Sequence, residues 1–371
     1  MVAKVEVDFS VLSEYFKAAE KCIQGKSITF IQYENNEVSL KTEETLKASL
    51  ALKFPALKGD GSFSIGVDTE VLTSLWKRLY DGNIELSVSD NKFTVIKDNI
   101  KAAFPTTPGK YNITLPEFEY VIKSDVKWFV ERLVDCASVP ETFKKSLSNK
   151  FSGILFDNTD YVSRICKFSD FSMFLSVSDI VLKSGKKYII PDELSKVVKS
   201  FKSSIESISV SDRISGVKLS GGTYISFVNP VNVYPDNYVS FLGLSEGASL
   251  VSDMVKFFTF ESTEFSNAVE VVSSVIGSMD SWVNFEIMGK LPSDELVWRV
   301  SGSSYKGDSI SEDVLSSGSG VVEKFSLNKD RLKEAISLFS DSVSIVDLGS
   351  SVCFFSQKQR DRAFLLIKAR V

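Results

Sequence analysis

A strand–helix–strand unit that occurs three times limits the folds open to this chain more than any other feature of its sequence. The helix of each copy has apolar residues at positions i, i+3, i+4 and i+7, and stretches with the alternation of strands flank it. The three apolar stripes are Leu72, Leu75, Trp76, Leu79; Leu194, Val197, Val198, Phe201; and Leu332, Ala335, Ile336, Phe339. One such stripe is common in globular proteins, but three with the same spacing and flanks predict an internally repeated fold.

The starts of these helices carry recognisable signals. Asp68 and Asn328 are predicted N-caps, because their side-chain oxygens can accept hydrogen bonds from the free N–H groups of a first turn. The middle helix starts at Pro191 and Asp192, and proline suits the first turn of a helix. Local chemistry therefore supports the helix assignments in all three copies.

The first half of each copy predicts another helix with the same spacing. These helices span Leu12 to Ile23, Val126 to Ala137 and Phe265 to Ile276. The chain has 371 residues, which is enough for several domains. We predict an α+β fold of three repeated domains at 1–118, 119–248 and 249–371, each with two amphipathic helices packed on antiparallel sheets.

Several connections are predicted from their turn-forming residues. Gly221 and Gly222 lie between two strand-like runs and predict a hairpin turn. The stretch from Ser301 to Gly320 is rich in serine and glycine and predicts a mobile loop. Residues 137–149 and 231–238 are also predicted to be loops, as is the connector 105–116.

The composition excludes several classes of enzyme. The chain contains no histidine, so neither a Ser/His/Asp nucleophile nor a His-containing zinc site is possible. It has no GxxxxGK[ST] phosphate loop and no GxGxxG motif, and its four cysteines predict buried free thiols. We therefore expect no catalytic residues, no metal and no cofactor. The absence of a long apolar run or a signal-peptide pattern predicts a cytoplasmic protein that does not bind membranes.

The positive charge is concentrated on the predicted helices. The net charge is −5, which argues against a protein that coats nucleic acid indiscriminately. Five of the six helices nevertheless carry lysine or arginine on or beside their polar faces, and such charges predict binding to DNA phosphates without recognition of bases. The candidate DNA-binding residues are Lys17, Lys21, Lys77, Arg78, Lys127, Arg132, Lys196, Lys199, Lys202, Lys329, Arg331 and Lys333.

The whole chain resembles the bacterial sliding clamps, the beta subunits of the replicative DNA polymerase. The stretches that carry the resemblance are IIPDELSKVVKSF, SGILFDN, VYPDNY, and FSLNKDRLKEAISLF with the terminal AFLLIKARV. Identity to the family is low, which favours a divergent clamp such as one encoded by a phage. The resemblance implies a non-enzymatic processivity factor, a homodimeric ring that encircles double-stranded DNA, with a DNA polymerase and a clamp loader as partners.

The resemblance also implies a pocket for partner peptides between the second and third domains. Its residues are Phe171, Met173, Phe174, Pro235, Tyr238, Leu365, Ile367, Ala369 and Arg370, with Ser172 beside them. The run SDFSM replaces a TDGHR-like run of many clamps, and Lys368 stands where the family has a proline. The pocket is therefore either reshaped for a different peptide or lost.

An alternative function belongs to another class. A structural or assembly protein of three β-rich domains, such as a virion component, would show the same repeats without encircling DNA. Its helix faces need not be basic, so the positions of the lysines and arginines distinguish the two hypotheses.

Overall fold

The computed structural model describes most of the chain. The described residues are 3–23, 25–43, 48–109, 111, 113–139, 153–159, 163–169, 172–178, 185–231, 256–276, 282–304, 306–320, 322 and 324–369. The helices in these ranges are α1 (Phe9–Cys22), α2 (Thr69–Trp76), α3 (Val126–Ser138), α4 (Asp192–Phe201), α5 (Ser262–Val275) and α6 (Lys329–Ser337). A short 3-10 turn at Lys202–Ser204 extends α4.

The strands follow the repeat. In the first repeat they are β1 (Ala3–Asp8), β2 (Ile28–Glu34), β3 (Glu37–Glu43), β4 (Ala48–Pro55), β5 (Lys58–Asp60), β6 (Phe63–Asp68), β7 (Asn83–Ser89), β8 (Lys92–Lys97), β9 (Ile100–Pro105) and β10 (Thr107–Pro108). In the second they are β11 (Tyr120–Ile122), β12 (Ile154–Asp157), β13 (Ser163–Ser169), β14 (Ser172–Ser178), β15 (Lys187–Ile190), β16 (Ile205–Val210), β17 (Ile214–Leu219) and β18 (Tyr224–Val228). In the third they are β19 (Phe258–Glu261), β20 (Trp282–Lys290), β21 (Leu296–Ser303), β22 (Ser309–Gly318), β23 (Phe325–Asn328), β24 (Ser342–Asp347), β25 (Ser351–Ser356) and β26 (Gln359–Ile367).

The chain divides into two compact units. The first comprises residues 1–134 and 190–230. It contains a five-stranded sheet in the order β5-β1-β7-β8-β9 and a nine-stranded sheet in the order β10-β6-β2-β3-β4-β18-β17-β16-β11. In its core the rings of Phe16 on α1 and Trp76 on α2 lie 4.3 Å apart, so the two helices pack on each other through aromatic side chains.

The second unit comprises residues 135–189 and 231–371. Its strands form one sheet in the order β15-β12-β13-β14-β26-β25-β24-β19-β22-β21-β20-β23. The core below α5 is aromatic: Trp298 packs against Phe258, Phe260 and Phe325, and its indole N–H donates to the Ser316 hydroxyl at 2.9 Å. The three sheets and six helices of the described residues confirm the predicted α+β class with antiparallel sheets.

The predicted N-caps Asp68 and Asn328 are confirmed, whereas Pro191 precedes the first turn of α4 instead of lying in it. Asp68 accepts hydrogen bonds from the N–H groups of Glu70 and Val71, and Asn328 accepts from those of Asp330 and Arg331. The apolar stripes of α4 and α6 are buried throughout, and in α2 only Leu75 remains partly exposed. Pro191 is the N-cap of α4 and makes no side-chain capping bond.

Strands from different repeats pair directly with each other within each unit. In the first unit β18 pairs with β4, and Ile225 lies opposite Leu50. In the second unit β26 pairs with β14, and Leu365 lies opposite Met173. Strand β4, the third strand of the meander β2–β4, thus pairs with β18, the second strand of the β17–β18 hairpin. Strand β14, the third strand of the meander β12–β14, pairs in the same way with β26 of the β25–β26 hairpin, so each sheet continues from one repeat into the next.

The prediction of a mobile loop from Ser301 to Gly320 is wrong. Most of this stretch is the ten-residue strand β22, which pairs with β21 along its length and with β19 at its end. Only Val314 and Ser316 of β22 are buried, and that is why the stretch contains few apolar residues. The hairpin turn at Gly221 and Gly222 is confirmed, and Gly222 adopts a positive φ of 88°.

Other predictions about connections lie mostly outside the described residues. They concern the loops 137–149 and 231–238, of which only 137–139 and Val231 are described. The domain boundaries near 118 and 248 stay predictions. All four cysteines are free and buried, as predicted, and burial raises the pKa of Cys22 and of Cys353 to about 12.

Candidate nucleic-acid interface

Nine of the twelve candidate DNA-binding residues are exposed in the structure. They are Lys17, Lys21, Lys77, Arg78, Lys127, Lys196, Lys199, Lys202 and Lys333. Most of them lie on helices whose opposite faces are buried against sheets, so their positions follow from the amphipathic pattern. Helix α5 carries no lysine or arginine and exposes Glu264 and Glu270.

Several of these cations make no ion pair with any described residue. Lys17, Lys127, Lys199, Lys202 and Lys333 belong to this group. Lys77 instead lies 2.8 Å from Glu20, but both side chains are about half exposed, so water screens the pair. The unpaired ammonium groups are available to phosphate oxygens.

The first unit brings cations from two repeats together. The ammonium of Lys21 on α1 lies 5.3 Å from the ring centroid of Phe201, the last residue of α4. Lys199 and Lys202 lie close to Phe201 in the sequence. The C-terminal ends of α1 and α4 therefore both carry lysines. Glu14 of α1 also accepts a hydrogen bond from the Gly221 N–H at 2.7 Å, which fixes α1 against the β17–β18 turn.

Two arginines among the candidate DNA-binding residues are buried, and a third cation is partly buried. Arg132 is 6% exposed, and its guanidinium lies 6.0 Å from the ring of Trp128. Arg331 is 7% exposed and donates to both carboxylate oxygens of Glu334 at 3.0 Å. Lys329 donates to the Ile276 carbonyl at 3.2 Å. These contacts direct the three side chains to protein groups instead of solvent.

The described residues include neither a helix that could span a membrane nor a cluster of metal-ligating side chains. No helix there is long and apolar enough to cross a membrane. No cluster of three His, Cys, Asp or Glu side chains in the same part of the chain is arranged to hold a metal ion.

Comparison with known proteins gives sequence and structural results that differ sharply. The sequence matches no protein-family model and no curated protein. The structure matches a DNA polymerase sliding clamp from Pseudomonas aeruginosa over 100% of both chains, with a TM-score of 0.81 at 14% identity.

Two further solved structures give the same result. A sliding clamp (DNA polymerase III subunit beta) from Bartonella birtlesii matches over 100% of both chains, with a TM-score of 0.79 at 15% identity. The C. crescentus beta sliding clamp matches over 100% of this chain and 99% of its own, with a TM-score of 0.77 at 13% identity.

This chain has the sliding-clamp fold. The predicted resemblance is therefore confirmed at the level of fold, with the low identity that was expected. Because the match extends from end to end, all three repeats of the clamp fold are present in one chain.

Three residues of the predicted peptide pocket, Met173, Phe174 and Leu365, lie on the paired strands β14 and β26. Met173 lies opposite Leu365, and Phe174 lies opposite Phe364, in the β14–β26 ladder. Met173, Phe174 and Leu365 are at most 5% exposed. Met173 and Leu365 belong to a buried cluster with Leu155, Cys166 and Phe355. These three side chains therefore offer almost no surface to a peptide.

The remaining pocket residues differ in their surroundings. Ile367 is 50% exposed, whereas the Ala369 N–H donates to the Ser326 carbonyl at 2.9 Å. Lys368, which replaces a family proline, donates to Asp347 at 2.5 Å. Phe171, Pro235, Tyr238 and Arg370 lie outside the described residues. The peptide-binding role of this set stays a prediction.

Proposed function

We propose that the protein is a DNA sliding clamp, a homodimeric ring that encircles duplex DNA and tethers a DNA polymerase. The observation that carries this proposal is the end-to-end match to solved clamps, with a TM-score of 0.81. The function needs no catalytic group, because tethering converts each dissociation of the polymerase into local recapture at high effective concentration. A clamp loader opens the ring and places it on DNA.

The exposed helix cations support this proposal. Lysine ammonium groups are compact, hydrated charges on flexible stems, so they attract phosphates without fixing a register. Contacts to phosphates carry no sequence information, and each individual contact can be weak when the ring itself retains the DNA. The best candidates are the five lysines that are exposed and make no ion pair with a described residue, namely Lys17, Lys127, Lys199, Lys202 and Lys333.

Two open strand edges support ring closure. The hairpin strands β18 and β26 each pair with the third strand of a neighbouring meander, β4 and β14. Strand β9, the corresponding strand of the first repeat, pairs only with β8 among the described residues. Strand β22, the third strand of the last meander, has no partner on the far side of Ser309–Leu315 in this part of the chain. Pairing of β9 with β22 of a second chain repeats the internal junction.

The charges on these edges are complementary. Lys92 and Lys101 are exposed on the β8–β9 hairpin, and Glu312 and Asp313 are exposed on β22. Asp313 already binds Arg299 through two hydrogen bonds of 2.9 and 3.1 Å, whereas Glu312 makes no ion pair with a described residue. Opposite charges across an interface favour the correct partner and speed association.

Retention on circular DNA tests the proposed function. The protein is assembled on a nicked circular plasmid with its cognate clamp loader and ATP, and the salt is then raised to a level that disrupts phosphate contacts. We expect the protein to remain on the circle and to leave after a restriction enzyme linearises it. Equal retention on circular and linear DNA would contradict encirclement.

A further inference from the structure

A groove in the first unit lies across the junction between the first two repeats. It has a volume of about 710 Å3, within the range of about 300–1,000 Å3 found for ligand sites. Its floor comes from five adjacent strands in the order β2-β3-β4-β18-β17, and residues 114–116 of the connector form one wall. Four strand spacings give a length of about 19 Å, which fits about six residues of extended peptide.

The groove is apolar and partly open to solvent. Ile28 is 41% exposed and Val228 is 54% exposed, although both are large aliphatic residues on strands. Phe30 and Phe227 also line the groove. Exposed aliphatic side chains are common singly, but their convergence in one depression is typical of a binding surface.

The connector is anchored at Tyr111, three residues before this wall, without a ligand. The ring of Tyr111 lies 4.1 Å from that of Phe30. The Tyr111 N–H donates to the Ser64 hydroxyl, and its own hydroxyl donates to the Thr107 carbonyl, both at 3.4 Å. A connector that is ordered before binding loses less conformational entropy when a peptide binds, which favours affinity.

The charged side chains among the described lining residues are Lys26, Lys41 and Glu43, two cations and one anion. Lys26 is exposed and makes no ion pair with a described residue. Lys41 is 22% exposed and lies 2.8 Å from Glu43, so this pair contributes no net charge. The described lining therefore has one ammonium group in excess, beside apolar side chains. Its chemistry is complementary to a peptide segment that has a carboxylate next to bulky apolar residues.

The clamp fold does not itself require this lining. Ile28 pairs with the cap residue Asp68, and Trp282 of the third repeat pairs with the cap residue Asn328, so Phe30 corresponds to Asn284. Asn284 lies in a depression of about 250 Å3 whose other lining residues are four serines, a glycine and Ile310. The same place in the first and third repeats therefore has different chemistry: the lining is apolar with lysines in the first repeat and rich in serine in the third.

We infer that this groove binds an extended, acidic and apolar segment of a partner protein. The inference goes beyond the proposed function, because the groove lies within one chain and needs neither the ring nor DNA. It also differs from the predicted pocket at the second junction, where Met173 and Leu365 are buried.

The probe is the fluorescein-labelled peptide Ala-Asp-Leu-Phe-Leu-Asp, with Ala-Lys-Leu-Phe-Leu-Lys as its charge-reversed counterpart. Fluorescence anisotropy with the full-length protein measures both dissociation constants. We expect the acidic probe to bind at least fivefold more tightly than the basic one. Lys26→Glu should reverse this preference, and Val228→Glu should weaken the acidic probe at least fivefold.

A matched control is Leu57→Glu, since Leu57 is 56% exposed and follows the opposite end of β4, roughly 25 Å from the groove. It should leave both affinities unchanged. Equal binding by Lys26→Glu, Val228→Glu and wild type would overturn the inference, as would no binding by wild type. A change in solution mass for Val228→Glu with intact probe binding would also overturn it, because the groove would then be a contact between chains. Val228→Glu is also tested for retention on circular DNA. If the variant stays on the circle, the proposed clamp function holds whatever the probe does, so a failure of the groove inference is distinguished from a failure of the proposed function.

Discussion

At the scale of single residues, a buried line of hydroxyl groups connects two helices through the first unit. The Tyr15 hydroxyl on α1 lies 2.8 Å from the Thr42 hydroxyl. Thr42 lies 2.8 Å from Thr29, which lies 3.0 Å from Thr69 at the start of α2. Each hydroxyl both donates and accepts, so a buried line of this kind satisfies its members and fixes helix positions. Burial raises the pKa of Tyr15, so its hydroxyl stays protonated at physiological pH.

This line predicts a specific loss of stability. Tyr15→Phe removes one hydroxyl and leaves Thr42 with a single side-chain partner. We expect the free energy of unfolding in urea to fall by about 1 kcal/mol. Tyr80→Phe is the control, because Tyr80 is 62% exposed, and it should change the free energy little. Equal stability of Tyr15→Phe and wild type would show that the line contributes nothing.

Residue-level prediction from the sequence works where the cause is local. Asp68 and Asn328 are correctly predicted as caps, because a capping bond joins residues two or three positions apart. The burial of Arg132 and Arg331 is not predicted, because a helical projection does not show which flanking positions a neighbouring element covers. The cations at the groove, Lys26 and Lys41, are not predicted either, because Lys26 precedes β2 and Lys41 lies on β3, away from the helices whose polar faces the sequence displays.

At the scale of elements, the amphipathic helices are predictable and the edge strand β22 is not. A helix has a period that its own residues display, whereas only Val314 and Ser316 of β22 are buried, so this strand has too few apolar residues to show an alternation. Strand β22 pairs with β21 through residues such as Glu312 and Val300, and its exposed face tolerates serine. Met173 and Leu365 lie opposite each other in the β14–β26 ladder, but their burial depends on packing between repeats and is not predicted.

The helix cations give the prediction that belongs to this scale. Lys199→Glu with Lys202→Glu reverses two exposed charges at the end of α4. We expect the slope of log K against log salt for duplex binding to fall by about 2, since each phosphate contact contributes about 0.9. Lys4→Glu with Lys58→Glu is the control, because it changes the net charge equally on exposed strand positions of β1 and β5. Equal slopes for the two double variants would place α4 outside the DNA path.

At the scale of the whole molecule, the account depends on how two strand edges are satisfied. Long exposed edges promote uncontrolled association unless a partner covers them. The internal pairs β4–β18 and β14–β26 show how this fold joins one repeat to the next. Among the described residues, one edge of each kind is left, on β9 and on the Ser309–Leu315 part of β22, and the head-to-tail contact that we propose between two chains would cover both.

The solution mass, measured by sedimentation equilibrium, tests this closure most directly. The account predicts a discrete species of twice the chain mass that does not grow with concentration. Lys92→Glu with Lys101→Glu places like charges against Glu312 and Asp313, and it should raise the dimer dissociation constant about tenfold, equivalent to about 1.4 kcal/mol. A monomer at all concentrations, an open-ended series of larger species, or a dimer unaffected by this double variant would contradict the account.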